Sequence, residues 1–227
     1  MTEQRRARLL GNFDLTEFLL TMLILVFSIS VHEFAHAWSA MQLGDRTAYY
    51  QGRVTLNPAA HLDPMGTMMM VAAAFIGFGI GWGKPVPVNA YNLKHGPRVG
   101  MALTAAAGPL SNILQAIILG IPLRLAINGN WQLPGLLFTV LGTAVFINIS
   151  LALFNLIPLF PLDGFSVLRG ALALIRTRWA YDVSDFLDRI QPYAPLVLLA
   201  LIFFGRAVLD AILYKPAVQL YHLILGV

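Results

Sequence analysis

The stretch FLLTMLILVFSISVHEFAHAWS, Phe18 to Ser39, decides how the rest of the chain is read. From Phe18 to His32 it carries no formal charge, which suits a helix crossing a hydrocarbon core about 30 Å thick with about 20 apolar residues. His32-Glu33-Phe34-Ala35-His36 then breaks the apolar run with an H-E-x-x-H pattern. At helical period His32 and His36 fall on one face with their imidazoles about a turn apart, placed to share one tetrahedral zinc. Glu33 is rotated by one residue, positioned to take a proton from an activated water without being a ligand. Ser28 and Ser39 extend the same polar stripe, so this face turns toward protein and not toward lipid. A carboxylate near mid-span costs about 2.5–3.5 kcal/mol on insertion scales, so Glu33 in such a helix marks a functional site.

Composition agrees with a membrane reading. Of 227 residues 11% are charged and 58% hydrophobic, with a mean hydropathy of +0.71, against about 25% charged in a soluble domain. These values exclude a nucleic-acid-binding, disordered or disulfide-stapled chain. The net charge of +4 resides in short Arg-containing segments between apolar runs, where it speaks to orientation. The absence of cysteine removes thiolate metal sites and thiol nucleophiles.

Charge-free windows give the expected organisation: an all-α polytopic membrane protein, one domain over residues 1–227, with about five transmembrane helices. After the first, Pro64 to Gly83 and Val99 to Leu123 are apolar. The long run Leu125 to Leu162 is cut by Asn128-Gly129-Asn130 and Pro134-Gly135, leaving a helix that ends near Ile127 and a span from Gly135 to Leu156. Phe165 to Arg178 and Tyr181 to Arg189 read as interfacial helices; Ile190 to Gly205 is charge-free, and Pro195 to Leu213 is the last span. Thus residues 15–168 form the core and 165–227 the C-terminal part. The β-branched and turn-forming stretches Arg53 to Leu56 and Pro85 to Asn89 predict short strands near the membrane surface, one offering an edge to an extended substrate segment. Arg5, Arg6 and Arg8 before an apolar run, followed by Ala35-His36-Ala37, imitate a signal peptide, but cleavage there would discard the H-E-x-x-H motif. The series Gly77, Gly79, Gly81, Gly83 lacks phosphate-loop spacing and reads as close packing or a tight re-entrant turn.

Two histidines leave zinc short of its usual three protein ligands. Asp163 qualifies as the third: it closes the uncharged run Phe154-Asn155-Leu156-Ile157-Pro158-Leu159-Phe160-Pro161-Leu162. Pro158 and Pro161 rule out a regular helix there, so freed backbone groups must line a cavity.

Together, H-E-F-A-H in an apolar helix and N-L-I-P-L-F-P-L-D-G about 120 residues later resemble the site-2 protease family of intramembrane zinc metallopeptidases. Gly108-Pro109-Leu110-Ser111-Asn112, Asn57-Pro58 and His61-Leu62-Asp63-Pro64 match its compact bacterial members, without PDZ or CBS modules. The resemblance covers roughly Ser28 to Leu168. It implies one Zn2+ per chain on His32, His36 and Asp163, Glu33 as general base, and Asn155 on substrate backbone or the developing oxyanion. Asn112 and His61 are further candidates for substrate contact. The second glycine often found in that family is Phe165 here.

The expected function is hydrolysis of a peptide bond in or near the transmembrane segment of a membrane-protein substrate. The expected partners are that substrate and the bilayer, with no nucleic acid. A zinc transporter explains the ligands but not Glu33, and a silent helix-binding scaffold is opposed by the undegraded motif. Arg206 and Asp210, four apart, read as a neutralising pair. Parity sets the orientation: His32, His36 and Asp163 reach one depth only if Pro64 to Gly83 folds back without crossing. With the N-terminus outside, the zinc lies toward the cytosol of a bacterial cell membrane, and nine Lys and Arg lie inside against five outside.

Overall fold

The computed structural model describes residues 15–76, 81–129 and 131–227. Arg5, Arg6, Arg8, Gly77, Gly79 and Asn130, used in the readings above, lie outside them. The described chain is helical: α1 (Leu15–Gln42), α2 (Pro64–Ile76), α3 (Pro97–Ile127), α4 (Gly135–Asn155), α5 (Asp163–Leu174), α6 (Arg178–Ile190), α7 (Ala194–Phe204) and α8 (Arg206–Leu225), the last containing a π-helical turn at Asp210–Tyr214. Among the described residues five helices are long and apolar enough to cross a membrane: α1, α3, α4, the run Arg178–Phe204 and α8.

α1, α3 and α4 pack together. Val145 and Ile149 of α4, Ala116 and Leu123 of α3 and Ala217 and Leu225 of α8 form one fully buried apolar cluster. Its small residues admit close approach, the main source of helix association where no hydrophobic effect operates between helices in lipid. Gly120 receives Ile224 from α8, and a Cβ at Gly226 would lie 3.0 Å from Arg124 Cζ, so α8 ends beside the end of α3. At the other end of α3, Arg98 and Arg169 meet Asp188 of α6 at 4.0 and 2.8 Å. From α6 onward the chain therefore makes one net traverse along α3, with the two apolar runs in series. The last apolar helix starts at Arg206, beyond a break at Gly205, and not at Pro195. Asp210 pairs with Lys215 at 3.9 Å, not with Arg206; the wider i→i+5 turn of the π segment brings residues five apart near one side.

α5 begins where the prolines stop. Leu162 is extended, and Asp163 opens the first turn, where a carboxylate suits the helix dipole. Gly164 and Gly170 allow α5 to lie tightly on Leu156 and on Ala102 of α3. Phe165 is buried against Phe160 at 5.8 Å, with the Arg169 guanidinium over its ring.

The described residues between α1 and α3 form no sheet. Among the described residues the single bridge is Leu62 to Gly83, antiparallel, reinforced by Lys84 N donating to His61 O at 2.7 Å. The expected strands at Arg53–Leu56 and Pro85–Asn89 are not formed. Pro85 and Pro87 have no N–H for a ladder, and the two stretches are joined instead by the buried Arg53 guanidinium donating to Lys84 O. α2, at 13 residues, is about 20 Å long and too short to cross. The chain leaves at Leu62, runs up α2 and returns to the same point at Gly83. Asp45, just past α1, holds the far end of this return. Its buried carboxylate accepts from Thr47 N and Oγ1, Asn92 Nδ2 and Asn89 N at 2.6–3.1 Å. Burial pushes this carboxyl up, and those four hydrogen bonds more than reverse it, leaving it below its ordinary 3.8.

Candidate metal centre

α1 and α3 are antiparallel neighbours, and the site is built where they touch. On α3, Thr104, Gly108 and Asn112 recur every four residues and so share one face. His36 Nδ1 lies 2.8 Å from Thr104 O, and His32 Nδ1 lies 2.6 Å from Asn112 Oδ1. Gly108 sits between them: a Cβ there would come within 2.4 Å of His36 Nε2 and 2.6 Å of His32 Cε1. The missing side chain is the space in which both imidazoles stand.

Proton arithmetic follows from these partners. The Thr104 carbonyl can only accept, so His36 must donate from Nδ1, which leaves Nε2 as a bare lone pair. Asn112 Oδ1 imposes the same on His32. The two bare Nε2 atoms are 3.0 Å apart, and Asp163 Oδ2, from the start of α5, is 3.2 Å from one and 3.4 Å from the other. Three acceptors thus converge with no proton to place between them, and Asp163 Oδ2 is buried without a hydrogen-bond partner. Such a triangle is satisfied by a metal ion held among the three atoms, or by an added proton on one imidazole. Tetrahedral zinc with ligand bonds of 2.0–2.2 Å sets its ligand atoms about 3.3–3.6 Å apart, a few tenths of an ångström beyond the edges of 3.0, 3.2 and 3.4 Å found here. The donor set, two imidazole nitrogens and one carboxylate oxygen, is that of a catalytic zinc with a position left open. The Asp163 side chain is the most exposed of the three, at 18% against 8% for His32 and 10% for His36.

The remaining sequence candidates are placed around this triangle. Glu33 is half-buried and faces the returning segment; a Cβ at Gly83 would lie 3.4 Å from its Oε1. Asn155 ends α4 eight residues before Asp163, the first residue of α5, with Nδ2 donating to Leu151 O at 2.9 Å. Asn112 lies behind His32, fully buried, both its amide atoms engaged. His61 is also fully buried, its Nε2–H donating to Thr55 O at 2.7 Å. Two contributors escaped the sequence reading. Thr104 acts through its backbone carbonyl, which no side-chain pattern reveals. Asn148 of α4, buried and bonded to Asn112 and Ser28, is a lone amide in an apolar run; that anomaly was its only signal.

The model of peptidase family M50 matches residues 120–200. YwhC of Bacillus subtilis (strain 168), which carries the name of a zinc metalloprotease, is 36% identical over 195 residues, covering 82% of this chain and 86% of YwhC. Rip2 of Mycobacterium tuberculosis (strain H37Rv), named likewise, is 29% identical over 147 residues, 64% of this chain and 54% of Rip2. Rip2 of Mycolicibacterium smegmatis is 27% identical over 161 residues, 68% of this chain and 58% of that protein. No solved structure matches the chain.

Proposed function

The chain belongs to peptidase family M50, the site-2 protease family of zinc metalloproteases, and from that premise we propose that it cleaves a peptide bond in or near the transmembrane segment of a membrane-protein substrate. The observation that carries the site assignment is the triangle of acceptors. His32, His36 and Asp163 are the protein ligands to zinc, one per chain. Zinc held there supplies Lewis-acid polarisation of the scissile carbonyl and of the attacking water. Glu33, one residue round the helix from His32, takes the proton of that water and returns it to the leaving nitrogen. Asn155, at the end of α4, faces the substrate backbone or the oxyanion. Asn112 acts from behind, through His32. His61 walls the Glu33 side with its Nε2 already engaged by Thr55 O.

A substrate helix hides its peptide bonds and must unwind to react. The extended residues Gly81 to Lys84, passing beside Glu33, offer backbone groups to the unwound stretch. The excursion from Leu62 to Gly83 is re-entrant, so α1 and α3 are successive crossings and the zinc lies toward the cytosol, in a bacterial cell membrane.

Glu33→Gln tests this directly. The full-length protein, purified in detergent, is incubated with a panel of single-span membrane proteins while bound zinc is measured. Zinc stays near one per chain and cleavage disappears. A variant that cleaves at a comparable rate removes Glu33 as the base, and a zinc carrier would show no cleavage in either form.

A further inference from the structure

Behind the metal triangle lies a chain of buried polar groups that family membership leaves unassigned. It starts at Ala144 O on α4 and runs through Asn148, Asn112 and His32. Asn148 Nδ2 donates to Ala144 O at 2.9 Å and to Ser28 Oγ at 3.0 Å. Asn112 Nδ2 donates to Asn148 Oδ1 at 2.8 Å and, more distantly, to Ser28 O at 3.5 Å. Asn112 Oδ1 then faces His32 Nδ1 at 2.6 Å. Asn112 is 0% exposed, and Asn148 and Ser28 are 1%, so water cannot substitute for any of these partners.

An amide has a donor end and an acceptor end, and in isolation either could face a neighbour. Here one end of the chain is a backbone carbonyl, which only accepts. That forces Asn148 Nδ2 toward Ala144 and leaves Asn148 Oδ1 for Asn112. Asn112 must then turn Nδ2 toward Asn148 and Oδ1 toward His32. His32 can meet Oδ1 only with a proton on Nδ1, which keeps its Nε2 lone pair free for the site. Were Asn112 reversed, His32 would accept at Nδ1 and carry its proton on Nε2, where it would block the metal.

We infer that Asn148 is a positioning residue for the metal site. Through the fixed direction of the Ala144–Asn148–Asn112 relay, it selects the Nδ1–H tautomer of His32 and so raises zinc affinity. This rests on the proposed role of His32 as a ligand. The relay also ties the site to α4, a helix that supplies no ligand.

The test is zinc affinity, measured by competition with a chromophoric chelator on the full-length protein in detergent. Asn148→Leu keeps the approximate volume and frees Asn112 to reverse; reversal deprives His32 of its outer acceptor, a loss that costs about 10–100-fold in metal affinity, and a fall within that range is expected. A carboxylate has no donor end to misdirect, so Asn112→Asp makes Asn148 dispensable. The double variant Asn112→Asp/Asn148→Leu should recover affinity to within about threefold of wild type, which a merely structural role of Asn148 would not allow. Wild-type affinity in Asn148→Leu, or a double variant as weak as the single, overturns the proposal. Should Asn148→Leu fail to fold, ring-15N NMR of zinc-free wild-type protein decides: His32 as the Nδ1–H tautomer supports the relay, and Nε2–H overturns it. Full zinc retention in His32→Ala would instead remove the ligand assignment, while the tautomer measurement would still judge the relay.

Discussion

Gly108→Ala is the sharpest single perturbation of the centre. The added methyl would lie 2.4 Å from His36 Nε2, 2.5 Å from His36 Cε1 and 2.6 Å from His32 Cε1. Ordinary contact begins near 3.4 Å, so the rings must retreat by about 0.8–1.0 Å or the helices must part. Retreat is opposed because each ring is held at Nδ1 from the same face of α3, by Thr104 O on one side of Gly108 and Asn112 Oδ1 on the other. Parting would open the α1–α3 interface along its length. A metal site tolerates ligand distances within about 0.2 Å, several times less than the displacement required. Overpacking of this kind costs about 1–3 kcal/mol of stability, while misplacing catalytic groups by about 1 Å costs about 100-fold in rate. The variant should therefore fold, with a lowered melting temperature, and lose zinc affinity and cleavage by about two orders of magnitude. Chelator competition and cleavage of a single-span substrate, run beside Gly135→Ala, provide the assay. Gly135 has nothing within 4 Å of its Cβ position, so that control should behave as wild type. A Gly108→Ala protein with wild-type zinc affinity and rate would refute the argument that this glycine is the space for the imidazoles.

Asp163→Ala should lose both zinc and cleavage, measured as metal content after desalting, because two imidazoles hold the ion weakly; wild-type metal content would defeat the assignment. Asp45 has a carboxyl held below 3.8 in the folded chain, so its contribution to stability is complete above about pH 4 and is lost as pH falls through the lowered value. Melting curves of wild type and Asp45→Asn should differ at neutral pH and converge in acid, and a constant difference across pH would count against the carboxylate. The chain has no cysteine, so single cysteines at Tyr49, Asn92, Thr177 and Asn128 report sidedness in intact cells. Only position 128 should react with an impermeant thiol reagent, and labelling at position 49 would reverse the proposed orientation.

Local arithmetic made part of this molecule legible in advance. The four-residue step between His32 and His36 is a helix property, visible as soon as the helix is recognised. Pro158 and Pro161 announce a non-helical link, and α5 starts where that link ends, at Asp163. Gly135 opens α4 because Asn128-Gly129 and Pro134-Gly135 are turn chemistry. The losses are equally physical. Asn148 and Thr104 work through partners on α1 and α3 that lie 36 to 120 positions away in the chain, so no spacing within α4 or α3 encodes them. The strands at Arg53–Leu56 and Pro85–Asn89 were inferred from local propensity, yet pairing needs donors, and two prolines remove them. At the C-terminal end, Arg206, Asp210 and Lys215 lower the apparent hydropathy of a helix whose π turn lets two of the charges meet, so hydropathy runs a single span from Pro195 to Leu213 across the break at Gly205.

The junction of Leu62 with Gly83 has a consequence for how this chain tolerates change. Because departure and return are one hydrogen-bonded step apart, the number of residues between them is independent of everything that follows. On the proposed re-entrant path, lengthening or shortening that excursion alters neither the side on which α3 begins nor the depth at which Asp163 meets the histidines. Closing a longer loop costs only about 0.6 kcal/mol for each doubling of its length. An engineer could exchange residues 63–82 as a cassette, changing what is presented beside Glu33, without redrawing the topology of the helices that hold the metal.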